Sequence, residues 1–198
     1  MKTQTVIIAL AAALFTATAI ADHNRTDEQG RKQGHWTEFP GDGVLAAEGN
    51  YVDGKRHGKW VLRKANGFVE EGKYVAGEKH GHWVSRGANG GKTEGQYVGG
   101  KMHGHWVLQH ANGFAAEGQY VNDKQTGHWI HRYANGDVHE GQKVDSKGHG
   151  EWVIRHADGS GSKGRYVNGK QHGLWVYWDA DGYESKLEFM HGFPLGLK

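Results

Sequence analysis

Large aromatic residues recur along this chain at a fixed interval, each inside a short stretch where bulky and polar residues alternate. Trp60, Trp83, Trp106, Trp129, Trp152 and Trp175 stand 23 residues apart, and Trp36 precedes Trp60 by 24. A strict period of this size predicts one small unit stacked on copies of itself. Glycine precedes every one of these tryptophans by two, from Gly34, Gly58 and Gly81 through Gly104, Gly127, Gly150 and Gly173. Another glycine follows each by seven, behind Asn or Asp (Gly43, Gly67, Gly90, Gly113, Gly136, Gly159, Gly182). A second aromatic appears as Gly-x-Tyr at Tyr51, Tyr74, Tyr97, Tyr120 and Tyr166, with Lys143 and Phe189 in its place in two copies. The extra residue of the first unit falls within Val44 to Ala47.

These columns predict hairpins. Ala65-Asn66-Gly67 and its copies fit a three-residue loop with Gly at a left-handed position. That loop pairs Lys64 with Phe68, which puts Trp60 opposite Gly72 and Tyr74 opposite Gly58. With a two-residue turn at Gly77-Glu78, Tyr74 also faces Gly81 and Trp83 also faces Gly72. The aromatic rings then share one face and fill volume that glycines leave. A two-residue Asn-Gly turn would shift the register by one and put Trp and Tyr on opposite faces. The second face carries His57, Lys59, Val61 and Arg63 opposite Val75, Lys73, Glu71 and Val69, a mixture suited to solvent. One such hairpin buries too little to offset the ordering of its backbone, so stability must come from stacking. The expected fold is all-β, an elongated single-layer antiparallel meander of about seven hairpin units, roughly 65 Å long at about 4.8 Å per strand. Lys143 and Asp145-Ser146-Lys147 break the pattern, which predicts fraying or a bend over 141–149.

Outside the array, residues 1–21 read as a secretory signal: Lys2, an apolar run from Val6 to Ala21, and the small-residue site Ala19-Ile20-Ala21. The run is shorter than the roughly 20 apolar residues of a spanning helix. Residues 22–29 are expected to be a flexible segment, 30–186 the array and 187–198 an apolar cap. Pro194 in that cap cannot extend a sheet, so it either covers the last edge or meets another copy. This organisation implies a periplasmic or secreted protein.

Composition narrows the function. There are 33 glycines against 2 prolines, unlike a helical protein, and no cysteine, which removes disulfides and thiolate chemistry. The formal charge is +2, or +1 once Lys2 is removed, with Lys and Arg interleaved among Glu. No field is present to recruit nucleic acid.

The unit reads Glu71-Gly72-Lys73-Tyr74-Val75-Ala76-Gly77-Glu78-Lys79-His80-Gly81, then Ala88-Asn89-Gly90 and Glu94-Gly95. It resembles the membrane occupation and recognition nexus (MORN) repeat from about Gly30 to Gly196. Two departures, Trp where many such repeats have Gly and Glu70, Thr93, Ala116 or His139 before Glu-Gly, bring it nearer the bacterial variant of the repeat. The resemblance implies an elongated antiparallel sheet used for protein contacts, self-association and, in some members, phospholipid binding.

Candidate chemistry is sparse. The chain has 15 histidines, and in the expected register His80, His82, His103 and His105 form a rectangle of about 7 by 10 Å. Neutral imidazoles at that spacing are weak candidates for Zn²⁺, Cu²⁺ or Ni²⁺. Nearly all of the histidines are expected to titrate between about pH 5 and 7, making partner binding pH-dependent. Lys55, Lys101, Lys124, Lys147 and Lys170 line one edge of the ribbon, interrupted by Glu78. Trp60, Trp83, Trp106, Trp129, Tyr74, Tyr97 and Tyr120 are binding candidates if the aromatic face is open to sugars or quaternary ammonium, and core if it is not. No serine has a nucleophile-elbow context, no Gly-rich strand-to-helix stretch is present, and the carboxylates recur in equivalent surroundings, so no catalysis and no cofactor is expected. The sequence thus points to a non-catalytic scaffold that docks a protein partner, with self-association through an end repeat as an additional contact. Envelope glycan or lipid binding is the alternative, and metal capture a further one.

Overall fold

The computed structural model describes residues 23–41 and 44–195. The signal, Asp22 and the last three residues of the expected cap lie outside them. Eight strands form the first half: β1 (Arg25–Thr26), β2 (Lys32–Glu38), β3 (Val44–Val52), β4 (Lys55–Lys64), β5 (Val69–Val75), β6 (Glu78–Arg86), β7 (Lys92–Val98) and β8 (Lys101–Gln109). Eight more follow: β9 (Ala115–Val121), β10 (Lys124–Arg132), β11 (Val138–Val144), β12 (Lys147–Arg155), β13 (Gly161–Val167), β14 (Lys170–Trp178), β15 (Glu184–Met190) and β16 (Phe193–Pro194). They make one open antiparallel sheet in sequential order, with no helix among the described residues.

The expected loop sets the register. Lys64 N donates to Phe68 O at 2.8 Å and Gly67 N to Lys64 O at 3.0 Å, closing the three-residue turn with Gly67 at φ 81°. Trp60 consequently lies opposite Gly72 and Gly58 opposite Tyr74. The extra residue of the first unit is a bulge: Val44 pairs with Lys64 and Ala46 with Arg63, leaving one residue unmatched.

The other turn differs from expectation. It is Ala76-Gly77, both left-handed at φ 51° and 91°, so Val75 pairs with Glu78 and Tyr74 with Lys79, not with Gly81. The aromatic register is recovered by a second irregularity next door. Between β7 and β8, Gly95 pairs with Trp106 but the next residue, Gln96, pairs with His103, which leaves Gly104 and His105 as insertions. An even number of inserted residues keeps Trp on the same face as Tyr.

This bulge gives the two glycine columns different duties. A Cβ on Gly49, Gly72, Gly95, Gly118, Gly141 or Gly164 would fall inside the indole of the following Trp, so these glycines are seats for rings. The glycines two before each Trp, by contrast, all have φ between 67° and 71°, and a Cβ on Gly58 or Gly81 meets nothing. They are required by backbone conformation and not by volume, which corrects the expectation that both columns make room for rings.

Seated this way, Trp and Tyr rings alternate edge to face from Trp36 to Trp129 and again from Trp152 to Trp175. Trp83 to Tyr97 is 6.1 Å between centroids and Tyr97 to Trp106 5.2 Å, at interplanar angles of 80° and 87°. Each such contact contributes about 0.5–1.5 kcal/mol beyond burial. Every internal indole also donates Nε1–H to the carbonyl just past its seat, as Trp60 to Asn50 O at 3.0 Å, Trp83 to Lys73 O at 3.0 Å and Trp106 to Gln96 O at 3.1 Å. That carbonyl lies where the bulge interrupts the ladder. Only Trp fills the seat and closes this bond, which explains why the Trp column is unbroken while the Tyr column accepts Lys143 and Phe189.

Strand pairing continues through 141–149, where the pattern break predicts fraying or a bend. Lys143 pairs with Gly148 and Val144 with Lys147, and Asp145-Ser146 adopts the same left-handed turn as Ala76-Gly77 at φ 49° and 67°. Both sheet ends carry short extra strands. β1, within the segment expected to be flexible, pairs with β2 through Arg25 and Thr26. β16 pairs with β15 through Phe193 and Pro194, so the cap covers part of the last edge.

The two glycine roles are separable by mutation. Gly95→Ala drives a methyl into Trp106 and should cost about 3 kcal/mol or more. Gly81→Ala places a methyl in open space at a left-handed position and should cost about 1–2 kcal/mol. Urea denaturation followed by Trp emission checks this; equal losses would contradict the division of labour.

Candidate functional site

The aromatic binding candidates turn out to be core. Trp60 and Trp129 are 0% exposed, Trp83 and Trp106 3%, and Tyr74 8%, while Tyr97 and Tyr120 are half-buried. Their outer surfaces are covered by chain neighbours that the column pattern did not flag. The Arg56 guanidinium lies 4.4 Å from the Trp60 ring and Lys79 Nζ 4.2 Å from Trp83, with Lys32 over Trp36 at 4.6 Å. On Trp60 and Trp83 the cation lies over the ring face on which a sugar would stack. Half-buried carboxylates anchor these cations. Glu70 receives Lys64 Nζ at 2.7 Å and Lys79 Nζ at 3.1 Å, and Glu38 receives Lys32 and Arg56. Burial alone would raise the pKa of both acids, but their cations outweigh it and hold the carboxyls below the usual range.

The position of Lys79 is taken by Met102 in β8, Gln125 in β10, Gly148 in β12 and Gln171 in β14. The aromatic face is therefore charged toward the N-terminal end and neutral further on. In the neutral part Lys143 replaces a tyrosine. Its ammonium caps Trp129 at 5.0 Å, donates to Gln125 Oε1 at 2.6 Å and lies 3.3 Å from His131 Nε2. The His131 ring bridges the missing aromatic, stacked between Trp129 and Trp152 at 5.9 and 6.0 Å. Burial first, then Lys143 and His139, pushes the His131 pKa down to about 4, and burial lowers Lys143 as well. Not all histidines therefore titrate between pH 5 and 7. His131 was invisible as a ladder element because it sits two residues after a Trp, where the other units have Leu62, Ser85, Leu108, Ile154 and Tyr177.

The four histidines proposed as metal ligands share the opposite face but do not converge. His82 and His103 flank Gln96 in a single row, whereas His80 pairs with Lys73 and His105 with Gln119. The two-residue bulge shears the expected rectangle, and among the described residues no group of three or more His, Cys, Asp or Glu can hold a metal ion.

What remains open is this polar face. It carries repeated ion pairs between strands: Arg86 to Glu71 at 2.5 Å, Arg132 to Glu117 at 3.2 Å and Arg155 to Glu140 at 2.5 Å. His35 and His82 add contacts to Glu48 at 3.2 Å and Glu94 at 3.6 Å. Along one margin runs a strip of apolar side chains, Val52, Val75, Val98, Val121 and Val144, each 37–50% exposed. They recur every second strand, about 10 Å apart. Their cross-turn neighbours are Lys55, Glu78, Lys101, Lys124 and Lys147, the cationic edge read from the sequence.

No family model matches the chain, and no curated protein does. Among solved structures, the chain is similar to the SAS-4 (dCPAP) TCP domain of Drosophila melanogaster in complex with a proline-rich motif of Ana2 (dSTIL). The TM-score is 0.40 at 12% identity, covering 91% of this chain and 97% of that one. A point mutant of the TCP10 domain of Danio rerio CPAP gives a TM-score of 0.40 at 10% identity, covering 78% of each chain. At these scores neither likeness bears on what this chain does.

The Lys143–His131 substitution in the ladder makes a prediction about pH. His131 protonates near pH 6.5 when unfolded and near 4 when folded. Its stabilising contribution is therefore complete above about pH 6.5 and is lost as the pH falls toward 4. Urea midpoints of His131→Phe should fall less steeply than wild type across that window, and parallel curves would contradict the assignment. Lys143→Tyr, which restores the edge-to-face contacts, should stabilise by about 0.5–1.5 kcal/mol at pH 7.

Proposed function

We propose that the chain is an exported, non-catalytic scaffold of MORN-like type that docks a protein along the polar face of its sheet. The observation that carries this reading is the exposed valine strip from β3 to β11, rimmed by lysines with Glu78 as the one exception among Lys55, Lys101, Lys124 and Lys147. Regular spacing suits an extended or repetitive protein surface, since apolar contacts supply the anchoring and flanking charges the register. The buried, capped state of the indoles weighs against the glycan-stacking alternative, and lipid binding has only the interrupted lysine edge in its favour. Metal capture has no converging donor set among the described residues to support it. Export to the periplasm or medium rests on the apolar leader from Val6 to Ala21 and fits a chain without cysteine.

The test is affinity purification of the tagged full chain from its native source. Wild-type protein should retain a specific partner, and Val98→Glu with Val121→Glu should lose it while Trp emission stays native. Retention by the double variant, or capture of lipid vesicles instead of protein, would contradict the reading.

A further inference from the structure

Two departures from the repeat meet at one place on the aromatic face, Lys143 in β11 and Gly148 in β12, which pair with each other across the turn. We infer that Lys143 is a nucleophilic amine that condenses with a small aldehyde, whose apolar side group occupies the gap beside Gly148. Elsewhere the aromatic position pairs with a long side chain that lies toward the following indole: Tyr74 with Lys79, Tyr97 with Met102, Tyr120 with Gln125. Gly148 supplies no such cover. A Cβ there would stand 3.4 Å from Trp152 Nε1 and 3.4 Å from Tyr166 Cγ, an ordinary contact, so the space is bounded by those two rings. Trp152 is accordingly 8% exposed, against 0% for Trp129 and Trp175 on either side.

The amine itself is set apart by its surroundings. Lys32 and Lys79, over indoles nearer the N-terminal end, pair with Glu38 and Glu70. Lys143 Nζ instead meets Gln125 Oε1 at 2.6 Å and His131 Nε2 at 3.3 Å, and no carboxylate among the described residues. Half-burial without a counter-ion favours the neutral amine, and burial lowers the Lys143 pKa. His131, whose pKa of about 4 keeps it neutral at pH 7, accepts an N–H of Lys143 instead of repelling it. Desolvated lysines of this kind form Schiff bases. The unprotonated nitrogen adds to the aldehyde carbon, and the carbinolamine loses water, which carries off the carbonyl oxygen and both amine hydrogens. Protonation of the resulting imine keeps a positive charge over Trp129. A tyrosine at 143 would instead restore the edge-to-face contacts, so the lysine forgoes stability where the repeat is broken. This site lies on the face opposite the proposed docking strip and is independent of it.

The full chain treated at pH 7 with less than one equivalent of benzaldehyde and cyanoborohydride, then mapped by peptide mass spectrometry, tests this. Lys143 should be alkylated about fivefold or more faster than the exposed Lys101 and Lys147. Gln125→Glu, which gives Lys143 the carboxylate that Lys79 has, should abolish the preference while Trp emission stays native. Gly148→Gln, which supplies the missing cover, should slow the reaction with benzaldehyde and leave that with formaldehyde unchanged. Labelling of Lys143 no faster than Lys101 and Lys147 in wild type, an undiminished preference in Gln125→Glu, or equal benzaldehyde labelling of Gly148→Gln and wild type would each overturn the inference.

Discussion

The seating of each indole on a glycine of the preceding hairpin is the contact on which the rest of the sheet depends. A single-layer sheet has no second layer to pack against, so it must find its core within its own thickness. Here the ring of Trp83 lies on Gly72 and that of Trp106 on Gly95, which converts one face into an interior. The tyrosines fill the gaps between indoles, and Lys32, Arg56 and Lys79 roof the array with cations whose stems are apolar. Because each indole bonds a carbonyl of the previous hairpin, no unit closes its own core. Cooperativity between neighbours is built into the geometry.

Much of this was legible in the sequence because it is periodic. The spacing from Trp60 to Gly67 to Gly72 specified the loop, and the loop specified which residues share a face. What stayed hidden was the bulge: Gly81 in a row of glycines looks like another space-maker, and nothing in its identity distinguishes missing volume from a left-handed backbone. That misreading shifted the second turn by one residue and kept the four histidines in a rectangle that the real register shears. Departures from the period were also hard to interpret. Lys143 reads as damage to the ladder, yet with His131 from the adjoining strand it completes the stack. That compensation depends on a contact between strands that one column alone does not display.

The consequence for function is a division between the two faces. The aromatic face is committed to stability, with its indoles buried on their glycine seats. The polar face has ion pairs satisfied between strands and a valine strip left exposed, which is the surface the proposed docking role uses. The ends are a third zone: β1 pairs along one edge, β16 pairs with β15 at the other, and Leu187 stands opposite Trp175 where earlier units have a glycine. Regular middle and specialised ends are what a one-dimensional array requires if it is to stop growing.

Nuclear magnetic resonance reads the central contact most directly. If the indoles lie flat on their glycine seats, the α-protons of Gly49, Gly72, Gly95, Gly118, Gly141 and Gly164 are shifted strongly upfield by ring currents and show cross-relaxation to the following Trp ring. The α-protons of Gly58 and Gly81 should show neither effect. Seat glycines at ordinary shifts, without cross-relaxation to Trp, would contradict the account.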